Sequence, residues 1–146
     1  PVLLAKIITN SNQNIMSTPK GIITPKEAKQ LNDAFTKRCE LISKDITKRP
    51  DNRSSWYSLE DIKAYLKYAE NQARELGYEM NGIRIYCGAY PTVEGKAGYS
   101  TSFIVPTAKI ADENNAKNID GSDIPNGNGL NDGSTGWPPN ANYPQQ

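Results

Sequence analysis

The apolar residues of this chain change their spacing once, near Gly82, and this change limits what the chain can fold into. Before Gly82 they recur every three or four residues, which is typical of a helix with one apolar face. From Gly82 to Val105 they alternate with polar residues, which indicates strands. Helical segments followed by a strand segment predict an α+β fold, with the helices on one side of an antiparallel sheet.

The first helix is predicted over residues 25–46. Thr24 precedes Pro25 and lies three residues before Glu27, a pattern that indicates a capping box with proline at the first helical position. Its apolar residues form one stripe, which we expect to be buried. The stripe consists of Ala28, Leu31, Phe35, Cys39, Ile42 and Ile46.

The second helix is predicted from Ser58 to Leu76, with Ser58 as its N-cap and Gly77 as its left-handed terminator. Because the loop between the two helices is short, we expect a two-helix hairpin. The apolar stripe of the second helix consists of Leu59, Ile62, Leu66, Ala69, Ala73 and Leu76.

The strand segment predicts a β-hairpin, with strands at 83–90 and 99–105 and with Pro106 ending the second strand. A two-stranded hairpin is only marginally stable alone in water, so we expect it to pack against the helices. The residues expected to face the helices are Ile83, Ile85, Cys87, Ala89, Thr101, Phe103 and Val105.

These segments divide the chain into three parts. Residues 1–19 are an N-terminal extension with a candidate edge strand at 2–8, and residues 20–107 are the α+β domain, a two-helix hairpin packed on a small antiparallel sheet. Residues 108–146 are predicted to be an irregular tail, because Asn, Gly and Pro dominate the sequence after Val105.

Two strings in the domain carry a resemblance. Residues 55–62 read SWYSLEDI, residues 82–91 read GIRIYCGAYP, and Val105-Pro106-Thr107 follows at the end of the second strand. Together they resemble a group of short proteins of unknown activity from Bacteroidota, over about residues 20–107. The resemblance implies that helices and hairpin form one unit, and it implies neither an activity nor catalytic residues.

Composition excludes several kinds of chemistry. The chain contains no histidine, so it supplies no Ser-His-Asp triad and no histidine ligand for zinc. Cys39 and Cys87 are far apart and form no C-x-x-C motif. The 17 basic and 16 acidic residues leave a net charge of +1, so nucleic acid is not an expected partner. We expect no metal and no cofactor.

Neither a membrane anchor nor an export signal is expected. No run approaches the ~18 apolar residues that a bilayer span requires. The apolar residues 2–8 lack the basic start and the cleavage site of a signal peptide. We therefore expect a cytoplasmic protein without membrane insertion.

Three weaker patterns are candidate sites of chemistry. Arg84 with Ser100-Thr101-Ser102 resembles part of the ADP-ribosyltransferase pattern, which also requires a Glu-x-Glu strand, and only Glu113 follows here. The loop around Arg53 precedes a helix start and is a candidate phosphate site, although a solvated basic loop explains it too. Residues 120–133 have the oxygen side chains of a calcium loop without its spacing, so turns explain them better.

The remaining candidate is a binding surface. The hairpin face away from the helices is predicted to expose two tyrosines and an arginine, a composition typical of interfaces. Its predicted residues are Arg84, Tyr86, Tyr90, Ser100 and Ser102, and Arg53, Trp137 and Tyr143 are the further candidates. Three occupants of this surface remain as alternatives, namely the chain's own tail, a protein partner or second copy, and a small ligand.

The sequence therefore predicts a non-enzymatic protein-interaction or self-assembly module. The alternative is a protein that binds a small molecule, nucleotide or phosphate through the Arg84 face and the Arg53 loop. An ADP-ribosyltransferase-like enzyme is the remote alternative.

Overall fold

The chain folds into helices and an antiparallel sheet in a computed structural model, which describes residues 17–112, 117–131, 134–135 and 141–144. The elements are α1 (Pro25–Leu41) with a π-helical turn (Ile42–Ile46), β1 (Ser55–Trp56), α2 (Leu59–Glu75), β2 (Met80–Ala89), β3 (Ser100–Asp112), β4 (Lys117–Asp123) and β5 (Ser134–Thr135). Strands β2, β3 and β4 form the main sheet in that order, and β1 pairs with β5. The α+β prediction is confirmed.

Both helices begin where the capping residues place them. The Thr24 amide donates to Glu27 Oε2 at 2.7 Å, and the Glu27 amide donates to Thr24 Oγ1 at 3.3 Å, which completes the capping box. The Asp61 amide donates to the Ser58 hydroxyl at 2.9 Å. At the other end of α2, Gly77 adopts a left-handed φ of 87°, as its predicted role as terminator requires.

Strand β3, which is the second strand of the predicted hairpin, is longer than predicted, because it continues through Pro106 to Asp112. The Pro106 carbonyl accepts from the Ile124 amide at 3.1 Å, on the side of β3 that faces away from β2. Since a strand residue directs its N–H and C=O to the same side, the N–H that proline lacks also belongs to that side, where β4 has already ended. The expectation that Pro106 ends the strand was therefore wrong. Part of the predicted irregular tail forms β4.

The core lies between α2 and β3. On α2 it consists of Tyr65, Ala69 and Ala73, which are at most 6% exposed and pack against residues of β3 and the segment after β4. The two alanines let the helix approach the sheet closely. Leu59, at the start of the predicted stripe, is 70% exposed, so the buried face of α2 is rotated toward Tyr65. The residues packed against α2 are Ile104, Ala108 and Ile124.

Helix α1 is attached mainly through polar contacts. Cys39 is its single buried stripe residue, whereas Leu31 is 66% exposed and Phe35 is 37% exposed. The expected burial of the whole α1 stripe was therefore wrong. Helix α2 packs on β2 and β3, and α1 is attached instead to the segment after it, where the Asp51 amide donates to Ser43 Oγ at 2.9 Å. Phe35 and Ile42 of the stripe line an open cavity with Cys87 and Ser102 of the hairpin.

The register of the hairpin differs from the predicted one by one residue. Ile85 pairs with Ile104, and Tyr86 pairs with Phe103. Residues directly opposite each other share a face, so Ile104 lies with Ile85 on the side of α2, and Phe103 lies with Tyr86 on the other side. The prediction had exchanged the faces of the second strand, because a shift of one residue moves every side chain across the sheet.

We expect Ala69→Leu to lower the free energy of unfolding by about 1–3 kcal/mol, because Ala69 is 0% exposed and a larger side chain must push α2 away from Ile104. Urea denaturation measures the change. Leu59→Ala on the same helix is the control, since a 70% exposed side chain should change stability by about 0.5 kcal/mol or less. Equal effects of both substitutions would contradict this packing.

Candidate protein-interaction surface

Arg84 and Tyr86 lie on the sheet face away from α2 and bind the end of β4. Arg84 Nε donates to Asp123 Oδ1 at 3.2 Å, and Arg84 Nη2 donates to the Gly121 carbonyl. The Tyr86 hydroxyl donates to the other oxygen of Asp123 and its ring stacks on Phe103 with centroids 5.1 Å apart. This hydrogen bond raises the pKa of Tyr86, because it stabilises the protonated phenol. The Asp123 carboxylate therefore accepts hydrogen bonds from both Arg84 and Tyr86.

Ser100 and Ser102 do not share that surface. They pair with Ala89 and Cys87, which places them on the α2 side of the sheet. The expectation that both serines share one face with Arg84 was wrong, for the same reason of register. Tyr90 lies beyond the end of β2 and does lie on the face of Arg84. Its hydroxyl donates to Asn131 Oδ1 at 3.2 Å and accepts from Thr101 Oγ1 at 3.4 Å, and Thr101 pairs with Gly88 on that face.

Arg53 binds α1. Its guanidinium donates to the Asn32 carbonyl at 2.6 Å, to Asn32 Oδ1 at 3.0 Å and to Thr36 Oγ1 at 3.3 Å. It also lies 5.6 Å from the centroid of the Phe35 ring. Arg53 therefore attaches α1 to the loop after it, and it belongs to a different cluster from Arg84.

Of the two aromatic residues expected to anchor the tail, Tyr143 is the one that the structure describes, and it contacts α1 rather than the hairpin face. Trp137 and the candidate edge strand at 2–8 lie outside the described residues. Tyr143 is 41% exposed, and its amide donates to Asn32 Oδ1 on α1 at 3.3 Å. The described tail residues that reach Arg84 are Gly121 and Asp123.

An open groove of about 660 Å³ runs beside α2. Two of its tyrosines bind the protein itself: the Tyr57 hydroxyl donates to the Ser102 carbonyl at 3.1 Å, and the Tyr65 hydroxyl donates to the Asn128 carbonyl at 2.9 Å. Burial raises the pKa of Tyr65, because the low-dielectric surroundings disfavour the charged phenolate. These two tyrosines attach the α2 region to β3 and to the segment after β4. The residues that line the groove are Tyr57, Asp61, Ala64, Tyr65, Tyr68, Asn128, Gly129 and Leu130.

The outer edge of β2 is where backbone groups lack a described strand partner. Strand β2 is the first in the sheet order, and no described strand pairs with it on the side away from β3. The hydrogen bonds of β3 show which way the N–H and C=O groups of β2 point. The Ile104 amide donates to the Leu130 carbonyl at 2.9 Å, and the Leu130 amide donates to the Ile104 carbonyl at 2.8 Å. Both groups of Ile104 therefore point away from β2, and its partner Ile85 must direct its N–H and C=O away from β3.

The alternation continues along β2. The Ser102 and Ser100 carbonyls and the Pro106 carbonyl accept from groups outside β2, so their partners in β2 also point outward. At the hairpin end the Tyr90 amide bonds to the Tyr99 carbonyl, as the alternation requires. Four residues of β2 therefore present both N–H and C=O at the open edge, namely Ile83, Ile85, Cys87 and Ala89.

Apolar side chains accompany this edge. Ile83 is 40% exposed, Ile85 is 65% exposed, and Cys87 is also exposed, whereas α2 packs against Ile104 and Ala108 of β3 and against Met80 at the start of β2. The opposite edge of the sheet is protected. Strand β4 carries the exposed Asp120, with Gly121 in a left-handed conformation, and such charges and irregularities discourage pairing with another strand.

Sequence reasoning singled out Arg84 and Tyr86 and missed the β2 edge beside them. The signal was present in part: the hairpin needs further pairing, and no charge other than Arg84 lies between Gly82 and Ala89. The sequence did not indicate strand β4, because the Asn, Asp and Gly residues of this segment are typical of turns.

Comparisons with known proteins add no relationship. No family model, no curated protein and no solved structure matches this chain. The resemblance to Bacteroidota proteins stays a prediction. Among the described residues, no helix has the length and apolarity that a membrane span needs.

A buried carboxylate ties the α1 region to the hairpin. Asp51 is 0% exposed, and it accepts from the Ser100 amide at 2.8 Å and from the Ser100 hydroxyl. The neighbouring Asn52 side chain donates to the Ser100 carbonyl at 3.1 Å. The two side chains thus satisfy the amide and the carbonyl of Ser100, as an adjacent strand would.

We expect Asp51→Ala to lower the free energy of unfolding by about 1–3 kcal/mol, because it leaves the Ser100 amide without its acceptor. Chemical denaturation measures the loss. The exposed Asp45 is the matched control, and Asp45→Ala should stay within about 0.5 kcal/mol of the wild type. A similar small effect at Asp51 would show that this contact does not attach α1.

A pair of proline substitutions tests the direction of the β2 backbone. Ile85→Pro removes an amide that points to the open edge, whereas Gly88→Pro removes one that points to Thr101 on β3. We expect Gly88→Pro to be less stable than Ile85→Pro by about 1–3 kcal/mol, since it also loses a ladder bond. Urea unfolding gives the comparison, and the reverse order would contradict the assigned alternation.

Proposed function

We propose that this chain is a non-enzymatic protein-interaction or self-assembly module that acts in the cytoplasm by adding a strand at the open edge of β2. The observation that carries the proposal is the alignment of four outward-pointing residues along this edge, from Ile83 to Ala89. A strand that pairs with them gains main-chain hydrogen bonds, and alternate side chains provide selectivity.

The apolar side chains beside the edge favour the same function. An added strand places its own side chains next to Ile83 and Ile85, which are 40% and 65% exposed. Burying these residues removes apolar area from water at about 25 cal/mol per Å². Backbone pairing and apolar burial therefore act along one line of the surface.

The small-ligand alternative has less support. A phosphate site would use Arg84 or Arg53, but each guanidinium already donates to protein oxygens. Binding an anion would require one of these arginines to exchange its contacts to Asp123 or Asn32. The enzyme alternative has less support too, because Arg84 pairs with Val105 and shares no face with Ser100 or Ser102.

A labelled peptide with the sequence of residues 80–89, carrying serine in place of Cys87, tests strand addition. We expect fluorescence anisotropy to show binding of this peptide to the full chain, and we expect Ile85→Pro to abolish it by removing an outward amide. Val93→Lys is the matched control, because Val93 is 66% exposed and lies in the hairpin loop beyond β2. No binding to the wild type at concentrations where it is monomeric, or equal binding to Ile85→Pro, would contradict the proposal.

A further inference from the structure

We propose that the partner of the β2 edge is the β2 edge of a second copy of this chain, paired antiparallel about a two-fold axis at Tyr86. This inference rests on the proposed function and names its partner. The two edges would join two three-stranded sheets into one continuous sheet.

The positions of the outward groups select this register. In an antiparallel pair each outward residue must face an outward residue of the partner strand. Centring the pair on Tyr86 places Ile83 opposite Ala89 of the second copy and Ile85 opposite Cys87. All four outward residues then have partners. Moving the centre by one residue in either direction leaves one of these four without a partner among the others.

Charge favours the same arrangement. Arg84 carries the one charge between Gly82 and Ala89, and centring the pair on Arg84 would bring two arginines together. With the centre at Tyr86, Arg84 faces Gly88 of the second copy. The chain's Asp123 remains bonded to Arg84 on the sheet face, so the ion pair need not break.

The side chains also match on both faces. On one face the two Tyr86 residues are directly opposite, each stacked on its own Phe103, which produces a row of aromatic rings across the axis. On the other face the exposed Ile83 and Ile85 are brought against Ala89 and Cys87 of the second copy.

The pairing ends with two chains. The outer edges of the joined sheet would both be β4, which carries the exposed Asp120 and has Gly121 in a left-handed conformation. This charge and this irregularity protect the edges against further strands. A closed dimer follows rather than a filament, because the interface uses the same edge of each chain.

The mass of the purified full chain in solution is the first test. We expect light scattering to give twice the mass of one chain, Ile85→Pro to give the mass of one chain, and Val93→Lys to behave as the wild type. If Ile85→Pro does not fold, Ile85→Lys provides the same comparison, since it places two like charges beside the axis. A wild type that is monomeric at micromolar concentrations, or a dimer that neither Ile85 variant disrupts, overturns the inference.

Disulfide formation reads the register directly. Cys39 is buried and Cys87 is exposed, so Cys87 is the reactive partner in mild oxidation. Ile85→Cys should form a covalent dimer through Cys87 of the second copy, and the double variant Ile85→Cys/Cys87→Ser should lose it. Covalent dimers of Ile83→Cys would place the centre at Ile85, and those of the wild type would place it at Cys87. Either result overturns the Tyr86 register.

The peptide experiment separates this inference from the proposed function. If the β2 peptide binds the wild-type chain while the chain itself stays monomeric, strand addition stands and the second copy is excluded as partner. If the peptide does not bind and the chain is monomeric, both proposals fail.

Discussion

The structure depends on satisfying the backbone of β3 on the side away from β2. Each group there must find a partner, because buried amides and carbonyls without hydrogen bonds are costly. Different parts of the chain supply these partners in turn: Asp51 and Asn52 at Ser100, Leu130 at Ile104, and Ile124 at Pro106. Strand β4 pairs with the rest of β3, from Thr107 to Asp112. This requirement draws the loop after α1 and the segment after β4 onto one strand.

The same requirement explains the asymmetry of the sheet. The side of β3 away from β2 recruits side chains, a loop and a strand, whereas the outer side of β2 meets no described strand. Helix α2 also packs along β3, since Ala69 and Ala73 lie near Ile104 and Ala108. The apolar residues Ile83 and Ile85 are left open as a consequence. Because the described contacts concentrate on β3, the outer edge of β2 is left as the place where another strand can add.

Sequence reasoning succeeded where the deciding contacts are local. The capping box at Thr24 and Glu27 and the cap at Ser58 involve residues three positions apart, so the order of residues in the sequence is enough to place both helix starts. It failed where the deciding contact is distant. The faces of β3 depend on the register across the hairpin loop, where the Val93–Lys96 bridge and the Tyr90–Tyr99 bond set the alignment. An apolar stripe likewise identified one side of α1 without saying whether any surface would cover it.

The sequence by itself determined the α+β class, the helix starts, and the absence of histidine chemistry, because these follow from residue types and short spacings. Of the candidate site, it singled out Arg84 and Tyr86 and could not show that Asp123 binds both. Only the tertiary structure decided that Asp51 bonds to Ser100, forty-nine residues away, and that β2 is the edge strand. These features depend on which distant segments satisfy β3, and a pattern of polar and apolar residues does not specify that choice.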